Sequence, residues 1–270
     1  MTDSLRKRII TAAILIAVLL IVLLAMPAAA TVGLLTLTVL AGAWEWSAFL
    51  KAPGWWPRAL YVLLVALLLP LAWLASRHRA GLRLVLEGAF LWWLVALGWI
   101  VLAPHRVRSW SAGLAGLCAL VPAWMALVRL RLASGRGAEW VLFALLLVWA
   151  ADIGAYFVGR FFGRVHLAPE VSPGKTWEGV AGGIAASVPV AIGGSLWFRL
   201  PPGAFVGVCL AAVGFSSVGD LTESLLKRFA GMKDSGTLFP GHGGVMDRID
   251  SLTGAAPVLL LGLTFLGVLP

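Results

Sequence analysis

The chain has 270 residues, of which 61% are hydrophobic and only 12% charged, with a formal net charge of +9. Soluble domains carry about 25% charged residues, so this composition excludes an ordinary soluble enzyme. The positive charge is spread over successive loops without an aromatic–basic platform, which excludes a nucleic-acid-binding protein and fits loops that flank membrane spans.

A helix needs about 20 apolar residues to span a bilayer. The runs that satisfy or approach this are 9–26, 28–43, 59–75, 89–103, 111–128, 140–158, 179–198, 203–219 and 252–269. The expected fold is all-α: a polytopic integral membrane protein with about nine transmembrane helices. Arg6, Lys7 and Arg8 precede the first run, which is longer than a signal-peptide core and is followed at once by another span. It therefore reads as a retained helix with a cytoplasmic basic flank. In that orientation Lys and Arg favour the cytoplasmic side by roughly two to one. The long polar connections 159–178 and 220–251 then share the cytoplasmic face, in what reads as a bacterial inner membrane.

Residues 1–137 have few polar groups, mostly arginine, and read as a transmembrane scaffold. Glu45, between Trp44 and Trp46, is the one acidic residue of this part that could touch function; a structural ion pair or a solvated interfacial group is the favoured reading. Trp44, Trp46, Trp55, Trp56, Trp92, Trp93 and Trp110 fall near span ends, as an interfacial belt requires. Cys118 and Cys209 lie in apolar runs and read as small buried side chains.

Residues 138–270 differ in character and read as the catalytic region. Asp152 sits inside an apolar helix, where an aspartate costs about 2.5–3.5 kcal/mol on insertion scales and therefore faces a polar cavity. A structural pair with Arg160 is the alternative. The next connection contains Gly174-Lys175-Thr176, but the position at which a phosphate-binding P-loop needs its first glycine is Pro169. A P-loop is excluded. Ser172, Lys175 and Thr176 could still donate to phosphate from a loop, and Glu178 suits the start of the following helix.

Further on, Asp220, Glu223 and Lys227 are spaced to share one face of a helix that Gly231 would end. Gly241, Gly243 and Gly244 could expose consecutive N–H groups to an anion. Asp247 and Asp250 would share a face as the chain re-enters a helix. Carboxylates, basic side chains and exposed backbone together are what a metal ion and a phosphate require.

The run from Ser224 to Asp250, S-x-LKR-x4-KD-x-G-x2-FPGHGG-x2-DRID, matches without departure the signature of the phosphatidate cytidylyltransferases, or CDP-diacylglycerol synthases, and the chain resembles that family. Ala151-Asp152-x-Gly154-Ala155-Tyr156 and Ser172-Pro173-x-Lys175-Thr176-x-Glu178-Gly179 resemble it too. The resemblance implies transfer of a cytidylyl group from CTP to phosphatidate, at a polar site on the cytoplasmic side. It also implies Mg2+, in a one- or two-cation arrangement, held chiefly by Asp220 and Asp247, with Asp152 and Asp250 as further ligands or orienting groups. Ser172, Lys175, Thr176, Lys227, Arg228, Lys233, His242, Gly243, Gly244 and Arg248 are the expected phosphate-binding and catalytic groups. Membrane lipid is the expected surrounding, no nucleic-acid partner is expected, and a homodimer is compatible. The competing readings are a CTP-dependent enzyme acting on an isoprenoid lipid and an ion-coupled transporter. The transporter should show repeated halves, which this chain lacks.

Overall fold

The computed structural model describes residues 3–238 and 243–269. Among these, nine α-helices follow one another: α1 Asp3–Leu24, α2 Ala28–Trp46, α3 Trp56–Ser76, α4 Arg79–Leu102, α5 Ser109–Arg131, α6 Gly137–Phe162, α7 Trp177–Phe198, α8 Pro202–Ala230 and α9 Met246–Phe265. Pro27 separates α1 from α2 because proline has no N–H to continue the helical ladder. A short 3-10 turn, Ser47–Leu50, follows α2 and ends at Lys51 in the left-handed region. Seven of the helices, α2 to α8, are long and apolar enough to cross a membrane.

α5 forms the axis of the bundle. Its most apolar stretch is 78% buried against 28% for each of α2, α3 and α4, so α5 is the core and the other three are its outer layer. α5 packs against α2, α3, α6 and α9. Leucines 60, 63, 67, 71 and 74 on α3 and Leu84, Leu91 and Val95 on α4 stay exposed, which suits a surface facing lipid. Trp44, Trp55, Trp56 and Trp110 are exposed as a belt predicts, but Trp46 and Trp93 are core residues. Trp46 is buried because its indole N–H finds the Ala112 carbonyl of α5 at 2.8 Å.

The second half is arranged by close helix pairs. α6 and α7 approach through small residues; a Cβ at Gly182 would collide with the Val158 side chain. α8 and α9 meet in the same way, with Gly219 against the Asp250 carbonyl and Gly254 against that of Phe215. The connection expected as a loop is in fact a hairpin: β1 His166–Ala168 pairs antiparallel with β2 Ser172–Thr176. Thr176 ends β2 and caps α7, its hydroxyl accepting from the Gly179 N–H at 3.1 Å.

The connections after α2, α4, α6 and α8 gather at one end of the bundle. Lys51 lies 4.0 Å over the Phe229 ring, and His105 pairs with Glu170 at 3.0 Å. At the other end, Trp140 stacks on Phe198 with centroids 3.6 Å apart, and Arg136 pairs with Glu139.

Candidate active site

α8 has 29 residues, about 44 Å at 1.5 Å per residue, whereas a hydrocarbon core is about 30 Å thick. Its last turns therefore extend past the apolar layer and carry Asp220, Glu223, Lys227 and Arg228. The first three share the face that their spacing requires. Glu223 is fully buried, and the Lys227 ammonium donates to it at 2.7 Å. The same ammonium donates to Asp247 Oδ1 at 2.7 Å, joining the end of α8 to the first turn of α9.

Asp247 Oδ2 accepts from the backbone N–H groups of Ser235 at 3.0 Å and Gly244 at 2.8 Å. Burial pushes this carboxyl up, but Lys227 and the backbone donors outweigh it and hold Asp247 below the usual carboxylate range. The N–H of Gly244, expected to be free for a substrate anion, is thus turned to the chain's own carboxylate. Across the site, Lys175 on β2 forms an ion pair with Asp220, and the Ser251 hydroxyl donates to Asp152 Oδ1 at 3.2 Å. α6, β2, α8 and α9 are thereby tied together around one space.

That space is a cavity of about 650 Å³. Asp152, Asp220, Asp247 and Asp250 line it, interleaved with Arg160, Lys175, Lys227 and Arg248. Thr176 reaches its wall while capping α7. Asp234, Ser216 and Ser217 also contribute.

Not every expected residue arrives there. Ser172 begins β2, outside the cavity wall, and Lys233 is exposed on the loop after α8. Arg228 faces a second, smaller cavity of about 240 Å³ with His105, Glu170 and Phe229. Gly243 has φ +80°, a conformation that glycine adopts freely, and stands beside the Asp247 carboxylate. His242 and Gly241 lie outside the described residues. Glu178 stands in the first turn of α7, as expected; its carboxylate accepts from its own N–H and from those of Arg164 and Val165, the latter two at 3.1 and 3.2 Å, and pins the start of the hairpin.

Sequence reasoning missed one contributor, Ser235, and favoured the wrong role for another, Glu45. Ser235 places its hydroxyl 3.0 Å from both Asp247 and Glu45. Among the described residues Glu45 has no ion pair; it is buried and accepts hydrogen bonds from the start of α9. The signal for Ser235 was its place inside the Ser224–Asp250 signature; that for Glu45 was an acid in an otherwise acid-poor stretch, which marks it without naming its partners.

Among the described residues no three His, Cys, Asp or Glu side chains are gathered as a ready-made metal cage. The donor set nonetheless fits magnesium, which prefers carboxylate oxygens and keeps most of its shell for water and substrate phosphates. Asp220 and Asp247 would hold it, as the sequence leads one to expect, with Asp152 and Asp250 in the same cavity wall as further ligands.

A cytidylyltransferase family profile matches residues 6–266. The chain belongs to the cytidylyltransferase family. It is similar to the phosphatidate cytidylyltransferase of Pseudomonas aeruginosa, 42% identical over 265 residues that cover 94% of this chain and 95% of the relative. The phosphatidate cytidylyltransferase of Haemophilus influenzae is 37% identical over 282 residues, 94% of this chain and 96% of its own. That of Brucella suis is 40% identical over 198 residues, 70% of this chain and 71% of the relative. Membership in this family makes the chain a nucleotidyltransferase and leaves the ion-coupled transporter without support.

Proposed function

We propose that this chain transfers a cytidylyl group from CTP to phosphatidate, giving CDP-diacylglycerol and pyrophosphate. The observation that carries the reading is the cavity itself, in which Lys175, Arg160 and Arg248 alternate with Asp152, Asp220 and Asp250 at one end of an apolar bundle. A phosphatidate oxygen forms a bond to the α-phosphorus, and the bond from that phosphorus to the bridging oxygen breaks as pyrophosphate leaves. Such transfers depend on positioning and charge stabilisation rather than covalent help from the protein. Lys175, Arg160 and Arg248 supply positive charge where the bridging and terminal oxygens gain negative charge. The attacking phosphate is already anionic, so no strong base is needed. Bound magnesium would neutralise triphosphate charge, held by Asp220 and Asp247.

Placement at the end of the bundle supports a site that receives a lipid from the bilayer and CTP from the cytoplasm. The basic N-terminal flank supports a cytoplasmic orientation in a bacterial inner membrane.

The test is pyrophosphate release by purified protein in detergent–lipid micelles with CTP, magnesium and either phosphatidate or an isoprenoid acceptor. Phosphatidate-dependent release is expected, falling at least about 100-fold in Asp220→Asn. Release with the isoprenoid acceptor alone would move the assignment to that lipid class.

A further inference from the structure

Glu45 lies in the last turn of α2, where an acid meets the negative end of a helix dipole and gains nothing locally. It is nonetheless only 8% exposed. Its partners come from far along the chain: Oε1 accepts from the Val245 N–H at 3.0 Å, and Oε2 from the Met246 N–H at 2.9 Å. A helix start needs acceptors for its free N–H groups. α9 begins at Val245 and Met246, whose side chains have no oxygen to offer, and its own N-cap makes no side-chain bond. A helix 201 residues away supplies the cap instead. Gly236 and Gly244 close around it, since a Cβ at either position would collide with the Glu45 carboxylate.

Ser235 extends the connection into the cavity. Its hydroxyl lies 3.0 Å from Glu45 Oε2 and 3.0 Å from Asp247 Oδ2, yet it has one proton to give. While it donates to Asp247, the backbone bonds keep Glu45 attached to α9. When it turns to Glu45, Asp247 loses one of its donors and the loop stays held.

We infer that Glu45 is a positioning residue for the reaction: it fixes the first turn of α9 and, with Ser235, sets where Asp247, Arg248 and Asp250 stand in the cavity. The inference rests on the cytidylyl-transfer reading.

The experiment compares full-length wild-type protein, Glu45→Gln and Ser235→Ala in detergent–lipid micelles. It measures amide hydrogen exchange over the start of α9, and pyrophosphate release as a function of CTP, phosphatidate and magnesium. Gln keeps one acceptor but turns an amide N–H towards a backbone donor. We expect exchange at Val245 and Met246 to rise about tenfold, and kcat to fall about 10- to 100-fold, the scale of small misplacements of catalytic groups. Half-saturating magnesium should rise while KM for phosphatidate stays within about twofold of wild type. Ser235→Ala keeps the Val245 and Met246 bonds but loses the hydroxyl that accepts from the Asp247 N–H at 3.3 Å, so exchange at Val245 and Met246 should match wild type, with any rise confined to Asp247, and the rate should fall less.

Glu45→Gln with unchanged exchange, or with faster exchange but wild-type kcat and magnesium dependence, would overturn the inference. So would faster exchange throughout the protein, which would make Glu45 a general stability element. Wild-type protein that releases no pyrophosphate would sink the reaction reading and the catalytic part of this one. An altered exchange pattern would then support the helix cap alone.

Discussion

Lys227 holds two carboxylates with one ammonium, and one of them, Glu223, has no exposed surface. Removing the ammonium would leave a buried carboxylate without its cation, which typically costs about 3–5 kcal/mol. Lys227→Met should therefore lower unfolding stability by that order, measured by denaturant titration in detergent. Glu223→Gln in the same background should recover part of the loss, because the uncompensated charge is gone. At this scale legibility followed sequence distance. The spacing of Asp220, Glu223 and Lys227 was readable because helical period alone puts them on one face. The engagement of Asp247 by Ser235, Gly244 and Lys227 was not, since it depends on how a loop folds back on two helices. Glu45 stands out in the sequence as an acid among apolar residues, but its partners, 190 to 201 residues away, were not readable.

Among the elements, the helices followed from their apolar runs, and the main difference is length. The apolar run of α8 ends at 219, and the helix continues without a break through Asp220, Glu223 and Lys227 to Ala230, where Gly231 takes φ +73° and stops it as its position predicts. The β1–β2 hairpin was not readable: Pro169, Pro173 and Gly174 are poor strand residues, and the pairing is secured by Glu178 from the following helix. The α6–α7 contact supports a paired prediction. Gly182→Leu should force the helices apart, destabilise the protein by about 1–3 kcal/mol and reduce activity, because Asp152 and the Thr176 cap ride on these two helices. Gly193→Ala, in the same helix with open space around it, should be neutral or slightly stabilising. Thermal unfolding of the two variants side by side would separate packing from helix propensity.

Across the whole molecule, the seven apolar spans place the connections after α2, α4, α6 and α8 on one side and those after α3, α5 and α7 on the other. Single cysteines test this on intact cells and inverted vesicles, because native Cys118 and Cys209 are shielded, half-buried and buried respectively. Glu170→Cys and Lys233→Cys should react with an impermeant maleimide only in inverted vesicles, and Ser134→Cys only in intact cells. Labelling of Glu170→Cys and Lys233→Cys from opposite sides would contradict the shared end of the bundle. Labelling of both in intact cells would reverse the proposed orientation. The division at residue 137, legible as a change in composition, is bridged in the structure by Glu45 of the first part and Ser235, Val245 and Met246 of the second.

The Lys175–Asp220 pair has a thermodynamic consequence. In the protein by itself these two opposite charges are paired, so a ligand for either one competes with the other. A polyphosphate that recruits Lys175 leaves Asp220 seeking a cation, and a cation that recruits Asp220 leaves Lys175 seeking an anion. Each newcomer thus removes a competitor of the other. By reciprocity of binding free energies, whatever factor the nucleotide adds to the affinity for the ion, the ion must add to the affinity for the nucleotide. If Asp220 holds the ion and Lys175 the nucleotide, as proposed, the internal pair would act as a heterotropic coupler that favours joint arrival over either ligand alone.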